Sequence, residues 1–565
     1  MQGQTCVILV CVLAISANDE WLQMNTPQGP VLGLKQPDEG VYAFYNIPYA
    51  TAPVGVDKFK APLPPPTWKK PFEAIDRNIV CPQNKIVIEM LLDNVKMQEN
   101  CLVANVFVPD TMAKNLSVLV YIHGGAFLIG YGNMNKGTQL MRSKDIIMVT
   151  FNYRLSVHGF LCLGTEGIPG NAGIKDQVAL LRWVQENIAS YGGNPKEVTL
   201  AGSSAGSAAV DLMMLSQLAT GLFHRVIPES GGSLAPFAVQ RDPLQTAQNH
   251  AKRLNFRKAE DTYALDLFYR TSPLELLMSL TLYDETDSTF VFAPCVERAT
   301  GPDAFLTESP LRILMSGNYV KLPILYGFSS MEGLMRIDMF DVWKDRMNEK
   351  FSDFLPADLW FESEEKQEEV AQAVKKFYFG DEPVYRGTVF GYIDFFSDVL
   401  FTYPMLRAVK LHAEAGHKQV YLYEYTFSDN GSTTDSHSIE RSAEHCAQSI
   451  AWLDNMRDKS ESFSTPEYRN MRAIIRQIWH SFIITGKPVP EDSMLPEWPS
   501  AGVGRAPYVS LDLNLQLHNM YVEESVKFWD EIYQKYYRDP SPPPPPNFEI
   551  SRPEPYTASL EFSDY

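Results

Sequence analysis

Val198-Thr199-Leu200-Ala201-Gly202-Ser203-Ser204-Ala205-Gly206 runs from a short apolar, β-branched stretch into a G-x-S-x-G pentapeptide. Downstream, Ala208, Ala209, Leu212, Met213 and Leu215 recur at helical spacing. Ala205, Gly206 and Ser207 are small enough to let a sharp turn pack against neighbouring backbone. The pattern predicts strand, turn and helix in immediate succession, an arrangement that strains a serine backbone and exposes its hydroxyl. Ser204 is therefore the candidate nucleophile. Roughly one chain in six of this length would carry such a pentapeptide by chance, so its surroundings must support the reading.

Outward from that turn, Val118 to Ile122 and Ile146 to Phe151 read as short buried strands. A helical stretch from Gln177 to Tyr191, carrying Val178, Leu181, Val184 and Ile188, separates them from the Val198 strand. That βαβ rhythm predicts an α/β fold, a large and mostly parallel central sheet flanked by helices. Further strands are expected at Pro323 to Tyr326 and Val420 to Tyr425, with a helix-rich insertion between about 340 and 415. The last helix is expected from about Glu523 to Tyr537. No internal repeat is visible.

The chain has 565 residues, 45% hydrophobic and 21% charged, with a net charge of −19. Such a composition is globular, and the negative charge excludes a basic footprint for nucleic acid and disfavours anionic ligands. The apolar run Cys6 to Ile15, followed by Ala14-Ile15-Ser16-Ala17, reads as a secretory signal peptide over residues 1–17. One domain is expected over 18–538, with no stable membrane anchor. Residues 539–565, which include five consecutive prolines from Pro542 to Pro546, are expected to form a disordered acidic tail; a docking polyproline helix is the alternative. Removing the signal leaves Cys81, Cys101, Cys162, Cys295 and Cys446, an odd number in an oxidising compartment. Cys81 and Cys101 are the pair expected to bridge, closing a loop worth roughly 3 kcal/mol of restraint on the unfolded chain. Asn115 and Asn430 head N-x-S sequons and are expected glycosylation sites.

After the Val118 strand comes His123-Gly124-Gly125-Ala126-Phe127, a glycine-rich loop of the kind that donates backbone N–H groups to an oxyanion. Gly124 and Gly125 would supply two donors and Ala205, directly after the nucleophile, a third. Phe151-Asn152-Tyr153-Arg154, Pro169-Gly170-Asn171-Ala172-Gly173-Ile174-Lys175-Asp176-Gln177 and Arg182-Trp183-Val184-Gln185-Glu186-Asn187-Ile188 then resemble the type-B carboxylesterases, the cholinesterase-like α/β-hydrolases. Similar stretches run from Asn46-Ile47-Pro48-Tyr49-Ala50 to Glu497-Trp498-Pro499, and Phe528-Trp529-Asp530-Glu531-Ile532-Tyr533 resembles insect secreted esterases, antennal or integumental. The resemblance implies an α/β-hydrolase fold and a secreted serine esterase acting on a small apolar ester, with no cofactor and no metal, and with a monomer as the expected state. It implies an acid in a loop ending Glu-Gly, which Tyr326-Gly327-Phe328-Ser329-Ser330-Met331-Glu332-Gly333 offers as Glu332, with Asp338 as a rival. For the base, the chain order leaves the loop after the Val420 strand, where His445 in Ser442-Ala443-Glu444-His445-Cys446 resembles the family segment and His437 stands as the alternative. Ser230 matches a serine near the triad, or else a plain helix-end serine.

Several positions depart from the resemblance. Ser203 stands where juvenile hormone esterases carry Gln and many carboxylesterases Glu; Ser156 replaces a Gly, and Ser442, Ala447 and Gln448 replace the Gly and acidic residues around the histidine. Together they argue against a juvenile hormone esterase. The aromatic-free stretch from Pro82 to Asn100 argues against a cholinesterase, whose loop there carries a Trp for a cationic head. A catalytically inactive binding or adhesion member is the alternative function; retention of all three triad residues discriminates against it.

Overall fold

Val118-Leu119-Val120-Tyr121-Ile122 shows no polar alternation because both faces of its strand are covered: Val118, Val120 and Ile122 enter one apolar core, Leu119 and Tyr121 the other. In this computed structural model, residues 20–545 are described apart from 37–38, 281–284, 300, 429–442, 456–464, 491–492, 494 and 520–523. The sheet strands are β1 (Trp21–Thr26), β2 (Gly29–Gln36), β3 (Val41–Pro48), β4 (Val103–Pro109), β5 (Leu116–Ile122) and β6 (Ile146–Phe151). They continue as β7 (Gly193–Ser203), β8 (Arg225–Glu229), β9 (Ile324–Ser329), β10 (Val420–Tyr425), β11 (Tyr508–Leu511) and β12 (Gln516–His518). Their spatial order is β1-β2-β3-β4-β6-β5-β7-β8-β9-β10-β11-β12, with Phe72–Glu73 beside β2. From β6 to β11 every neighbouring pair is parallel. The chain is an α/β-hydrolase fold.

Five of the parallel strands coincide closely with the expected ones, whereas β8 and β11 have no counterpart in the sequence reading; β7 begins earlier than expected, Gly193 pairing with Leu116 of β5 before a register shift ahead of Val198. The antiparallel strands β1 to β4 have no counterpart in the sequence reading. Gly29, Pro30 and Gly33 break any strand pattern in β2, which is held by cross-strand pairing on both sides.

Helices cover both faces. Ile174, Val178, Leu181 and Val184 of α1 (Ala172–Asn187) recur every three to four residues and join one core, as do Ala208, Ala209 and Leu212 of α2 (Ala205–Leu215). On the opposite face lie Trp452 of α3 (Ala447–Trp452) and Ile475, Trp479 and Phe482 of α4 (Pro466–Thr485). The insertion between 340 and 415 is helical, and α5 (Glu524–Tyr536) buries Val526, Trp529 and Tyr533. No helix among the described residues is long and apolar enough to cross a membrane.

Two disulfides brace the loops. Cys81 bridges Cys101, and Cys162 bridges Cys295 across 133 residues. The sequence reading did not pair the second couple, because so wide a separation carries no local signal. Cys446 is a free thiol. The tail was expected to leave the body at Asp539, yet its first residues are laid along it. Arg312 and Ser309 both bind the Asp539 carboxylate, Ser541 N–H donates to Arg241 O, and Pro543 is buried. Residues 1–17, Asn430, His437, Ser442 and the chain beyond 545 lie outside the described residues. Asn115 is exposed immediately before β5.

Candidate active site

The functional candidates gather at the C-terminal ends of the parallel strands, where an open α/β sheet leaves a crevice. Ser204 joins β7 to α2 with φ 57° and ψ −124°, outside the regions a non-glycine residue normally adopts. Such a conformation costs on the order of 1–3 kcal/mol and persists only where neighbours fix it. Here the Ser204 N–H donates to Glu229 O at 2.9 Å, and Ser204 O accepts from Ala208 N–H at 3.0 Å. The side chain is left facing a cleft of about 950 Å³.

Gly124 and Gly125 line the same cleft, directly after β5. A Cβ at Gly124 would lie 3.2 Å from Ser204 Cβ, so this backbone passes right beside the hydroxyl. Gly125 has φ +108°, and its carbonyl accepts from the N–H groups of Leu128 and Ile129, which folds the loop back on itself. Ala205 opens α2, and the Ser204 side chain does not cap that helix. Its first amides are therefore unused by a cap and carry the positive end of the helix dipole. Gly124 and Gly125 line the cleft beside Ser204, and Ala205 follows Ser204 in the chain.

Glu332 and His445 come from loops after β9 and β10 that are stitched together, with Met331 N–H donating to Ala443 O at 3.0 Å. The His445 Nδ1–H donates to Glu332 Oε2 at 2.5 Å, and Glu332 Oε1 accepts from Ser329 N–H at 2.8 Å. Glu332 is fully buried; His445 keeps 15% of its side chain exposed and lines the cleft with Ser204. Burial alone would lower the proton affinity of the imidazole, but the adjacent Cys446 sulfur and the Glu332 carboxylate carry it well above the ordinary histidine value. Asp338 is exposed. His412 binds Tyr319 and Tyr326, His480 binds Asp145, and His518 binds Ser510, each away from the cleft.

Residues that, Ser230 apart, sequence reasoning gave no role hold these parts in place. His123 Nδ1 bonds Gly124 O at 2.8 Å, its ring stacks 4.4 Å from Tyr153, and the Tyr153 hydroxyl donates to His123 O. Burial lowers His123 to a pKa of about 4, so it stays neutral and fixes the Gly124 peptide plane. Gln83 bonds Gly130 through both its amide atoms, closing the far end of the same loop. Behind the acid, Gln448 donates to Ser230 Oγ at 2.7 Å and accepts from Ser329 Oγ at 2.6 Å. Ser230, fully buried with φ 55°, thus connects to the loop that carries Glu332. His123, heading its glycine pair, and Ser230, matching a serine near the triad, had a signal in the sequence; a lone Gln does not announce a distant partner.

Among the described residues, the cleft lining contains no Asp, Glu, Lys or Arg. Val87, Leu128, Met134, Met278, Phe290 and Met335 give it an apolar wall. A serine on a strained turn, an imidazole tethered to a buried carboxylate, a glycine loop and an apolar cleft suit acyl transfer from an uncharged substrate.

The sequence model of the carboxylesterase family matches residues 21–529. A carboxylic ester hydrolase of Bombus ignitus is 30% identical over 539 residues, covering 91% of this chain and 95% of its own length. A juvenile hormone esterase of Heliothis virescens is 29% identical, covering 86% and 89%. Among solved structures, the juvenile hormone esterase of Manduca sexta with OTFP covalently attached superposes with a TM-score of 0.81 at 28% identity, over 91% of this chain and 100% of that one.

Proposed function

The chain belongs to the carboxylesterase family and is a carboxylic ester hydrolase; we propose that Ser204, His445 and Glu332 carry out the hydrolysis through an acyl-enzyme. The observation that carries this reading is the Glu332–His445 pair on the wall of the cleft into which the strained turn projects Ser204. His445 Nε2 takes the Ser204 proton as the oxygen attacks the ester carbonyl, and returns it to the departing alcohol. Glu332 holds the tautomer with Nδ1 protonated and stabilises the imidazolium. The N–H groups of Gly124, Gly125 and Ala205 receive the negative charge that develops on the carbonyl oxygen. Water then attacks the acyl-enzyme by the same route and releases the acid.

The substrate is a neutral, largely apolar ester, because among the described residues the cleft offers no charged side chain besides His445. Odorant, pheromone and xenobiotic esters belong to that chemical class. Secretion is supported by the apolar N-terminal run and by two disulfides, which persist in oxidising compartments. The test is hydrolysis of a short-chain aryl ester series by wild type and Ser204→Ala. The substitution is expected to lower kcat/KM by about 10⁴-fold or more; equal rates for the two proteins overturn the assignment.

A further inference from the structure

Val389–Ser397, Asp398–Thr402 and Tyr403–Glu414 form one continuous helix whose middle section is a π turn. Pro404 has no N–H to give Leu400 O, so the helix widens just before it, and Tyr403 N–H donates to Asp398 O, five residues back. Three side chains spaced by four residues leave this helix towards the triad. Ser397 Oγ accepts from Gly333 N–H at 2.8 Å, directly after the acid Glu332. Phe401 lies against the base, its ring centroid 4.3 Å from that of His445 and the two planes 35° apart. Met405 Sδ accepts from Gly231 N–H at 3.3 Å, and a Cβ on Gly231 would stand 2.5 Å from Ser204 O. In a regular α-helix a row with that spacing drifts about 40° around the axis at each step. The wider π turn between Ser397 and Phe401 offsets the drift, so one helix reaches the loops of acid, base and nucleophile.

The base needs such a contact. The hydrogen bond from His445 Nδ1 to Glu332 fixes one atom of the imidazole, and a pivot about that bond redirects Nε2. Phe401 removes this freedom by covering one face of the ring. It is fully buried and backed by Phe237 at 5.6 Å, whose own ring lies 4.6 Å from Phe290 on the cleft wall. Phe401 itself is not part of that wall, so it acts on the base and not on the substrate. The contact also has the right electrostatic sign: the imidazole becomes a cation as Ser204 attacks, and an aromatic face within about 6 Å attracts a cation.

We propose that Phe401, set in place by the π turn, is a positioning residue that holds the His445 imidazole in line for proton transfer and steadies its cationic form during acylation. This rests on the triad reading above. Phe401→Leu keeps apolar bulk and removes the ring face, whereas Phe401→Tyr keeps the face. Both are compared with wild type on ethyl butyrate and nitrophenyl butyrate, with kcat/KM expressed per Ser204 titrated by a phosphonate inhibitor, so that a loss of folded protein does not enter. Ethoxide must take a proton from His445 as it leaves and nitrophenolate need not, so a misaligned imidazole penalises the ethyl ester more. Phe401→Leu is expected to lower kcat/KM about tenfold on the ethyl ester and about threefold or less on the nitrophenyl ester, while Phe401→Tyr stays within about threefold of wild type on both. Equal losses on the two esters, no loss on either, or a tyrosine variant as slow as the leucine one overturn the role of Phe401 alone. Wild-type rates in His445→Ala overturn the triad reading together with it.

Discussion

At the scale of single residues, the pairing of His445 with Cys446 and Glu332 fixes the pH dependence of the reaction. Only neutral imidazole can take the Ser204 proton, so activity rises with pH as His445 loses its own. Because the sulfur and the carboxylate raise its proton affinity, the acid limb of kcat/KM for a neutral ester is expected above pH 6.5. Cys446→Ala should move it to lower pH. A limb at the ordinary histidine value that ignores the substitution would contradict this. Glu229 governs stability instead. Trp452 and Tyr423 donate to its carboxylate, yet burial outweighs them and the group titrates near 8 rather than at 4.5. Between those values the folded state keeps a proton the unfolded chain has released, so stability is full below about 4.5 and falls as pH rises towards 8. Urea midpoints for Glu229→Gln should decline less than wild type from pH 5 to 8; parallel declines would rule Glu229 out as the cause.

At the scale of elements, the loop after β5 is the most exacting part of the site. A Cβ at Gly125 would lie 2.0 Å from Ile129 O, and φ +108° is foreign to other residues. Gly125→Ala should therefore open the turn closed by Leu128 and Ile129 and misdirect the donors beside Ser204. The expected result is a 10²–10³-fold loss of kcat with little change in KM; an unchanged kcat would remove Gly125 from the oxyanion contacts. This loop and the turn at Ser204 were legible in the sequence because each is a run of small or glycine residues directly after a parallel strand, so its position follows from local pattern; the loop of Glu332 was legible only through the family resemblance. The half-buried strands β1 and β2 were illegible because they carry no period of their own, β2 being interrupted by Gly and Pro. Gln83, Tyr153 and Gln448 act across large sequence distances, and nothing near them in the chain indicates it. Ser156, in a position where the resemblance expects Gly, is held at φ 53°; its Phe127 contact, in which Ser156 N–H donates at 2.7 Å, fixes that geometry.

For the whole molecule, the question is what keeps the segments flanking the cleft in register with the sheet. The Cys162–Cys295 bridge ties the approach to α1 to the segment leading from Phe290, and it closes 133 residues. By chain entropy that loop is worth roughly 5 kcal/mol, against roughly 3 for Cys81–Cys101. The bridged segment is also held without sulfur. Asn171 Nδ2 donates to Cys295 O, Cys295 N–H donates back to Asn171 Oδ1, both at 2.8 Å, and Lys175 pairs with Glu297 at 2.5 Å. Removing the bridge should consequently act on the unfolded chain and leave the native cleft in place. The double variant Cys162→Ser, Cys295→Ser is expected to unfold at clearly lower urea concentration while its kcat/KM at 25 °C stays within about twofold of wild type. A raised KM at unchanged stability would mean instead that the bridge positions the Phe290 wall, and that the Asn171 and Lys175 contacts cannot hold that wall alone.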